Sequence, residues 1–563
     1  MEIITRILSF LLSFIFSYGA IITYMFCVPR MLHYMQLEGY KNNDFIRWLT
    51  KNPKLAFKSN MKQLLAVGGY YLIITLINNW AIDKISINSA ITILMVEFVM
   101  LFLIFIIANV VQCKRDKKER KEAKKPLVYT ARAKRLMFWN FITIALLEVS
   151  FLDYFTSLNV LSYYMIKTVC YSAFIFVLPI NMIVANFLAS PTERFISDRY
   201  VSSARRKLNK KAYKNLIKIG ITGSYGKTST KFILQTILSE KYNVLSTPES
   251  YNTTMGNVRV IREMLKPEHE VFISEMGARY RFDIQEICNF VNPQIGIITS
   301  IGPQHLESFK NIDNVVKTKS ELLQGLPADG MVFLPNDDSN CLKLYNKEKR
   351  KKFIYAINDK HADVYAKDIK LGSDGCKFIA VTKNGEIKCV SKLLGEHNIQ
   401  NILGCIAIAI ELGLTNEQIA SGVSKIEPIE HRLQILPSSN GITVIDDAFN
   451  SNPVGSKMAL DVLKGFEGRK IIVTPGMVEL GKDEYKYNKE FGKHMASCTD
   501  IAILIGVKRS EAIVSGLKEG KFDEMNIFVV ENLDSATKKL NELTKIGDVV
   551  LFENDLPDNY NEN

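Results

Sequence analysis

A glycine-rich turn held between a buried strand and an amphipathic helix leaves few choices for the fold around it. Leu216-Ile217-Lys218-Ile219-Gly220-Ile221-Thr222 reads as a strand closed off from water. It runs without a break into Gly223-Ser224-Tyr225-Gly226-Lys227-Thr228-Ser229-Thr230. The next segment, Lys231 to Leu238, has apolar residues at helical spacing. Glycines let backbone N–H groups approach phosphate oxygens, and a helix N-terminus adds positive dipole. Lys227 is then expected to reach the β/γ-phosphates of ATP, and the Thr228 hydroxyl to sit on Mg²⁺. Gly223, Ser224, Tyr225, Gly226, Lys227, Thr228 and Ser229 form the expected nucleotide cradle. One departure from the ordinary phosphate loop matters: Ile221 stands where its first glycine would be.

The chain before this loop has a different character. Of the 563 residues, 1–219 hold 30 Lys/Arg against 12 Asp/Glu, whereas 220–563 hold 41 against 46. A nucleic-acid binder would carry its positive charge on the domain that binds; here the charge lies between apolar runs, so nucleic acid is not an expected partner. The runs cover 3–27, 63–82, 88–112, 137–155 and 160–189, and each is of a length to cross about 30 Å of hydrocarbon. Lys and Arg collect at 28–62 (seven), 113–135 (eleven) and 190–218 (nine) and are sparse in the alternate loops. By the retention of Lys and Arg on the cytoplasmic side, the expectation is five spans in a cell membrane, N-terminus outside and everything after 190 in the cytoplasm. Membrane lipids become expected partners. The bland alternative is five buried core helices. Glu97, Glu148 and Lys167 lie in or near the runs, either lining a groove or sitting at span ends. The nine cysteines include no C-x-x-C, which speaks against a zinc ribbon or disulfide framework and suits reduced thiols.

Further motifs follow the loop in order. Ser274-Glu275-Met276-Gly277-Ala278 ends an apolar strand; Pro303-Gln304-His305-Leu306-Glu307-Ser308-Phe309 follows another; Lys317-Thr318-Lys319-Ser320-Glu321 lies on a helix. Then come Gly395-Glu396-His397-Asn398-Ile399-Gln400-Asn401, Glu430-His431-Arg432, and Asp446-Asp447-Ala448-Phe449-Asn450-Ser451-Asn452-Pro453. With T-G-S-x-G-K-T-S at the loop, this series resembles the Mur ligases, most of all the type that adds D-alanyl-D-alanine to a muramoyl tripeptide. These ligases activate a carboxylate with ATP as an acyl phosphate, which an amine then attacks.

The resemblance implies roles residue by residue. Lys227, Glu275, His305, Lys319 and Arg432 would be catalytic. Thr228, Glu275, His305 and Lys319 would hold metal, with two Mg²⁺ ions. In that family the lysine matching Lys319 is carbamylated by CO₂ and becomes an anionic ligand; a solvated helix lysine is the bland reading, and Lys317 is the competitor. Asn398 and Asn401 would lie by the adenine, Asn398 being alternatively a helix cap. Arg432 would reach the γ-phosphate, and Asp447 would meet the nucleotide from the C-terminal domain.

The expected organisation is therefore an α-helical membrane domain (1–190), a basic linker (191–215), a phosphate-loop α/β central domain (216–432) and a Rossmann-like C-terminal domain (433–563). Two segments depart from the family pattern. The apolar region replaces the UDP-sugar domain. Leu551-Phe552-Glu553-Asn554-Asp555-Leu556 stands where the family has a basic K-G-S-R segment. The expected function is ATP-dependent ligation of a cell-wall precursor carboxylate to an amino acid or dipeptide amine. The alternatives are the same chemistry on a lipid-linked or other polymer substrate, a membrane transport or export ATPase, and a nucleotide-binding scaffold without turnover.

Overall fold

The computed structural model of the protein describes residues 21, 24–53, 125–154 and 160–556 except 250, 438–440 and 450, with single positions and short pieces between 103 and 123. The side chains of 148–177 lie outside that description. Two compact units divide after Ile196.

The first unit contains helices α1 (Asn42–Lys51) and α2 (Ala131–Tyr154) and the first part of α3 (Val160–Leu208). Leu136, Ile144, Leu178 and Met182 close on Val28, Leu32 and Phe45. Polar groups within this packing satisfy one another. Asn181 Nδ2 donates to Tyr24 Oη at 2.7 Å and to Asn140 Oδ1 at 3.1 Å. Arg135 meets Glu193 at 2.5 Å.

Three of the apolar runs, 3–27, 63–82 and 88–112, lie wholly or largely outside the described residues. The other two are α2 and the start of α3. Among the described residues no helix is long and apolar enough to cross a membrane. The expected membrane localisation, with the orientation drawn from it, is therefore corrected, and the five-span domain and the lipid partners find no support among the described residues. The apolar side chains described in α2 and α3 pack in part on one another, around buried asparagines. The stretch 191–215 is also not a linker throughout, because α3 continues to Leu208.

The second unit carries two sheets. The first has the order β2-β3-β1-β4-β5-β6-β7-β8-β9. Its strands are β1 (Ile217–Thr222), β2 (Val244–Ser246), β3 (Val271–Glu275), β4 (Ile295–Ile298), β5 (Met331–Pro335), β6 (Lys351–Ala356), β7 (Val364–Gly372), β8 (Gly375–Thr382) and β9 (Gly385–Ser391). β1 to β7 pair in parallel, and β8 and β9 continue antiparallel. The chain lays β2 and β3 on one side of β1 and then crosses to put β4 on the other. Crevices for ligands open at such a switch point, outside the carboxyl ends of the strands. The helix after β1, α4 (Lys227–Leu238), buries Ile233, Leu234, Ile237 and Leu238 at three- and four-residue spacing. Each such burial contributes about 1.5–3 kcal/mol. Its N-cap is Gly226, with no side-chain cap.

The second sheet has the order β10-β11-β15-β12-β13-β14, from β10 (Gln434–Leu436), β11 (Thr443–Asp447), β12 (Lys470–Thr474), β13 (Ile501–Ile505), β14 (Ile527–Val530) and β15 (Val549–Glu553). All pairs are parallel except β10 with β11. Its helices include α8 (Pro453–Lys464), after β11, and α9 (Glu484–Met495), after β12. The central domain has three more helices near the site: α5 (Asp283–Val291), α6 (Ile312–Lys319) and α7 (Glu396–Glu411).

Candidate active site

The loop after β1 is pinned from the segment after β4. Ser224 Oγ donates to the Gly302 carbonyl at 2.9 Å, and Tyr225 N to Ser300 Oγ at 2.9 Å. Gly226 has φ +79°, and a Cβ there would lie 2.8 Å from Asn401 Oδ1. Only glycine meets both conditions without strain. Lys227 folds its Nζ back into the loop, donating to the Gly223 carbonyl at 2.7 Å and the Ser224 carbonyl at 3.1 Å. Burial lowers its pKa to about 8; Glu275 opposes that shift and Arg432 adds to it.

Glu275 lies at the carboxyl end of β3, in register with Ile221 of β1. Thr228 Oγ1 donates to Glu275 Oε1 at 3.1 Å, and Asn252 Nδ2 reaches the same oxygen at 3.2 Å. Lys231 Nζ meets Glu275 Oε2 at 3.1 Å with both side chains excluded from solvent. The Thr228 and Glu275 oxygens fit a small hard cation, since neighbouring ligands of octahedral Mg²⁺ at 2.0–2.1 Å stand about 2.9 Å apart. Lys319 ends α6, 1% exposed, whereas Lys317 is exposed. Burial holds its pKa well below the usual lysine range, helped by the charge of Lys227 and opposed by Glu321, Asp283 and Glu275. A lowered pKa favours the neutral amine, the form that attacks CO₂, so the surroundings suit the carbamate that the resemblance implies.

Asn398 and Asn401 lie buried on α7. Asn398 Nδ2 donates to the Leu394 carbonyl at 2.9 Å, and Asn401 Oδ1 accepts from Thr230 Oγ1 at 3.3 Å. The nearby cavity, about 780 Å³, is lined by Tyr225, Gly302, Asp338, His397, Gln400 and Lys457 among others, and neither asparagine is on its wall. Asn401 packs over Gly226 and Thr230 at the start of α4, and its Nδ2 donates to Asn398 Oδ1 at 3.4 Å. His397, on that wall, has its pKa lowered to about 4 by burial and by Arg432.

At the junction with the second sheet, the Arg432 guanidinium stacks 4.5 Å from the centre of the Phe449 ring. Burial lowers its pKa, against the opposing charges of Asp447 and Glu275. Burial raises Asp447 to about 6, with Arg432 and the Leu433 N–H pulling the other way. Asp447 is in register with Glu553 on β15. Glu553 is 1% exposed, accepts from Ser451 Oγ and from Thr474 Oγ1 (2.9 Å), and is pushed up to about 8, chiefly by burial.

His305 takes its side-chain partner from outside this cluster. It adopts φ +48° before the short helix Leu306–Phe309, and its Nδ1 pairs with Glu479, which also pairs with Arg279. Among the described residues no hydrogen bond or ion pair joins His305 to Glu275 or Lys319.

The structure thus gathers Lys227, Thr228, Glu275, Lys319 and Arg432 in one charged cluster and keeps His305 on a partner from the second sheet's domain. Sequence reasoning gave no role to Lys231, Asn252 or Glu479. Lys231 has a sequence signal, lying four residues after Lys227 on the face that packs inward. Glu479 lies in Met477-Val478-Glu479-Leu480-Gly481, a segment recognisable by its resemblance to the family. Asn252 has no such signal.

Two family descriptions match the second unit: the Mur ligase middle domain over residues 221–409, and the Mur ligase glutamate ligase domain over 431–553. A UDP-N-acetylmuramoyl-tripeptide--D-alanyl-D-alanine ligase of Buchnera aphidicola is 33% identical over 54% of this chain and 66% of its own. The chain thus spans just under two thirds of that relative. The ligase of the same name from Bacillus subtilis is 27% identical over 60% and 72%. A crystal structure of MurF from Acinetobacter baumannii shares the fold, with TM-score 0.59 and 24% identity over 65% of this chain and 78% of that one. MurF from Thermotoga maritima in complex with ADP aligns with TM-score 0.57 and 23% identity over 64% of this chain and 80% of its own. Through its middle and C-terminal domains the chain belongs to the Mur ligases, ATP-dependent enzymes that form amide bonds.

Proposed function

We propose that the protein joins the terminal carboxylate of a muramoyl-peptide precursor to the amine of a dipeptide, with ATP supplying the activation. The observation that carries this reading is the cluster around the loop: Lys227 and Thr228 at the start of α4, Glu275 3.1 Å from the Thr228 hydroxyl, and Lys319 buried beside them. The names of the relatives support D-alanyl-D-alanine as the dipeptide.

The chemistry divides among residues of this chain. The loop N–H groups and Lys227 bind and orient the nucleotide phosphates. Thr228 and Glu275 would hold one Mg²⁺, and His305 with carbamylated Lys319 a second. When bound, these ions supply charge neutralisation on the transferring phosphoryl group. Arg432, reaching from the domain junction, steadies the charge that develops there. Transfer of the phosphoryl group makes the substrate carboxylate an acyl phosphate; the amine then attacks its carbonyl carbon, phosphate leaves with the bonding electrons, and the amine gives up a proton.

A second reading keeps this chemistry and changes the amine. The segment Leu551–Leu556 carries Glu553 and Asp555 where the resemblance calls for basic residues. Glu553 is buried on Ser451 and Thr474, so the exposed Asp555 is the carboxylate that favours a more cationic incoming group.

Purified protein incubated with ATP, Mg²⁺, UDP-muramoyl tripeptide and either D-alanyl-D-alanine or single amino acids, with products read by mass spectrometry, tests both. Amide product with the dipeptide supports the first reading, and product only with another amine supports the second. ATP hydrolysis that no amine stimulates rejects ligation.

A further inference from the structure

Glu479 belongs to the loop after β12, in the domain of the second sheet, yet its side chain is engaged with two residues of the central domain. Its Oε2 takes the Nδ1 side of His305, and its Oε1 takes the Arg279 guanidinium. Its own backbone carbonyl accepts from Glu307 N at 3.1 Å. The loop approaches so closely that a Cβ at Gly481, where φ is +63°, would lie 3.4 Å from Glu307 Cα. Tyr487, on α9, packs against the apolar cores of both domains. Side chain, backbone and apolar contact therefore meet at one place on the domain junction.

We propose that Glu479 is a positioning residue for the metal site, fixing His305 from the opposite domain so that its Nε2 is presented to the ion. This rests on the reading of His305 as a metal ligand. An imidazole that coordinates through one nitrogen is oriented by what the other nitrogen binds, and a carboxylate there fixes the tautomer and raises ligand basicity. His305 needs such a partner more than most histidines. It stands in left-handed backbone ahead of a four-residue helix, and that helix is too short to fix the side chain by itself. Because the carboxylate comes from the other domain, the ligand is set only when the two domains are together. Order at the metal site is thereby tied to domain closure, and Arg279 holds the carboxylate in place from the central-domain side.

The test is Mn²⁺ binding to the full-length protein in the presence of ADP, followed by electron paramagnetic resonance, for the wild type, Glu479→Ala, Glu479→Gln and His305→Ala. Loss of an orienting partner typically weakens metal binding about 10- to 100-fold, and Glu479→Ala is expected in that range. Glu479→Gln keeps an acceptor for the Nδ1–H and is expected to restore most of the affinity, which a merely structural role would not require. Circular dichroism melts check that each variant is folded. Unchanged Mn²⁺ affinity in Glu479→Ala, with His305→Ala weakened, overturns the positioning role and leaves the ligand assignment standing. Unchanged affinity in His305→Ala overturns both. A Glu479→Gln variant as weak as Glu479→Ala also overturns positioning by hydrogen bond.

Discussion

Lys231 Nζ lies 3.1 Å from Glu275 Oε2, and neither side chain is accessible to solvent. The pair sits beneath the Thr228 hydroxyl, so the lysine compensates the carboxylate that a cation would otherwise neutralise. Breaking a buried pair by removing one partner costs about 3–5 kcal/mol, because the other charge is left uncompensated. Lys231→Met is expected to lose stability of that order in urea unfolding without divalent ions. Mg²⁺ with ADP is expected to restore part of it and to stabilise the variant more than the wild type. An equal Mg²⁺ effect on both proteins would remove Glu275 from the cation site.

Gly226 gives a second test. A side chain there faces left-handed backbone and the Asn401 amide 2.8 Å away. Left-handed backbone alone costs a non-glycine residue about 1–2 kcal/mol. Gly226→Ala is expected to weaken ADP binding at least about tenfold, the equivalent of 1.4 kcal/mol, as read by calorimetric titration. Asn401→Ala, which opens the space without relieving the backbone, is expected to recover only part of the loss in the double variant. Full recovery would assign the whole effect to the Asn401 contact.

Glu553 makes stability depend on pH. Its folded pKa of about 8 lies above the ordinary 4.5, raised chiefly by burial. The folded protein therefore binds more protons than the unfolded chain between these values, and stability falls as pH rises through them. The contribution is fully present below about 4.5 and is lost as pH passes 8. Glu553→Gln removes the titration while keeping partners for Ser451 and Thr474. The variant is expected to gain about 1–3 kcal/mol on the wild type at pH 9 and little at pH 5. Urea unfolding across that range checks it; parallel curves would mean that Glu553 ionises freely.

The sequence made the loop legible because its geometry is local: the strand, glycines and helix start lie within about twenty residues, and each residue type has a mechanical reason. Glu275 and Thr228 were legible for a related cause, since β1 and β3 are neighbours and both end at the same crevice. Glu479 was not, because its partner His305 is 174 residues away and belongs to another domain. Asn398 and Asn401 were legible as a motif, but the contact of Asn401 with Thr230 and Gly226 was not, because it joins positions about 170 residues apart. The membrane localisation failed for a different reason: hydropathy counts residue types along the chain and does not see which helices form, and among the described residues none is long and apolar enough to cross a membrane.

Lys319 supplies the last test, and its surroundings set the terms. The amine is 1% exposed, and its pKa is held well below the usual range, chiefly by burial, with the Lys227 charge adding to the shift. A neutral amine in that position adds CO₂ and loses a proton, becoming a carbamate; the product is an anion and suits a site next to Lys227. Lys319→Ala is expected to lower kcat by about 10²-fold or more, in line with loss of an electrostatic group at the reacting centre. Acetate or another short carboxylate should occupy the vacated space and return part of the rate, whereas Arg432→Ala, equally impaired, should not respond. Wild-type protein exposed to ¹³CO₂ is expected to show a carbamate carbon by NMR that Lys319→Ala lacks. Carbamate signal in both proteins, or acetate rescue of neither variant, would return Lys319 to the role of a buried lysine that only spaces the cluster.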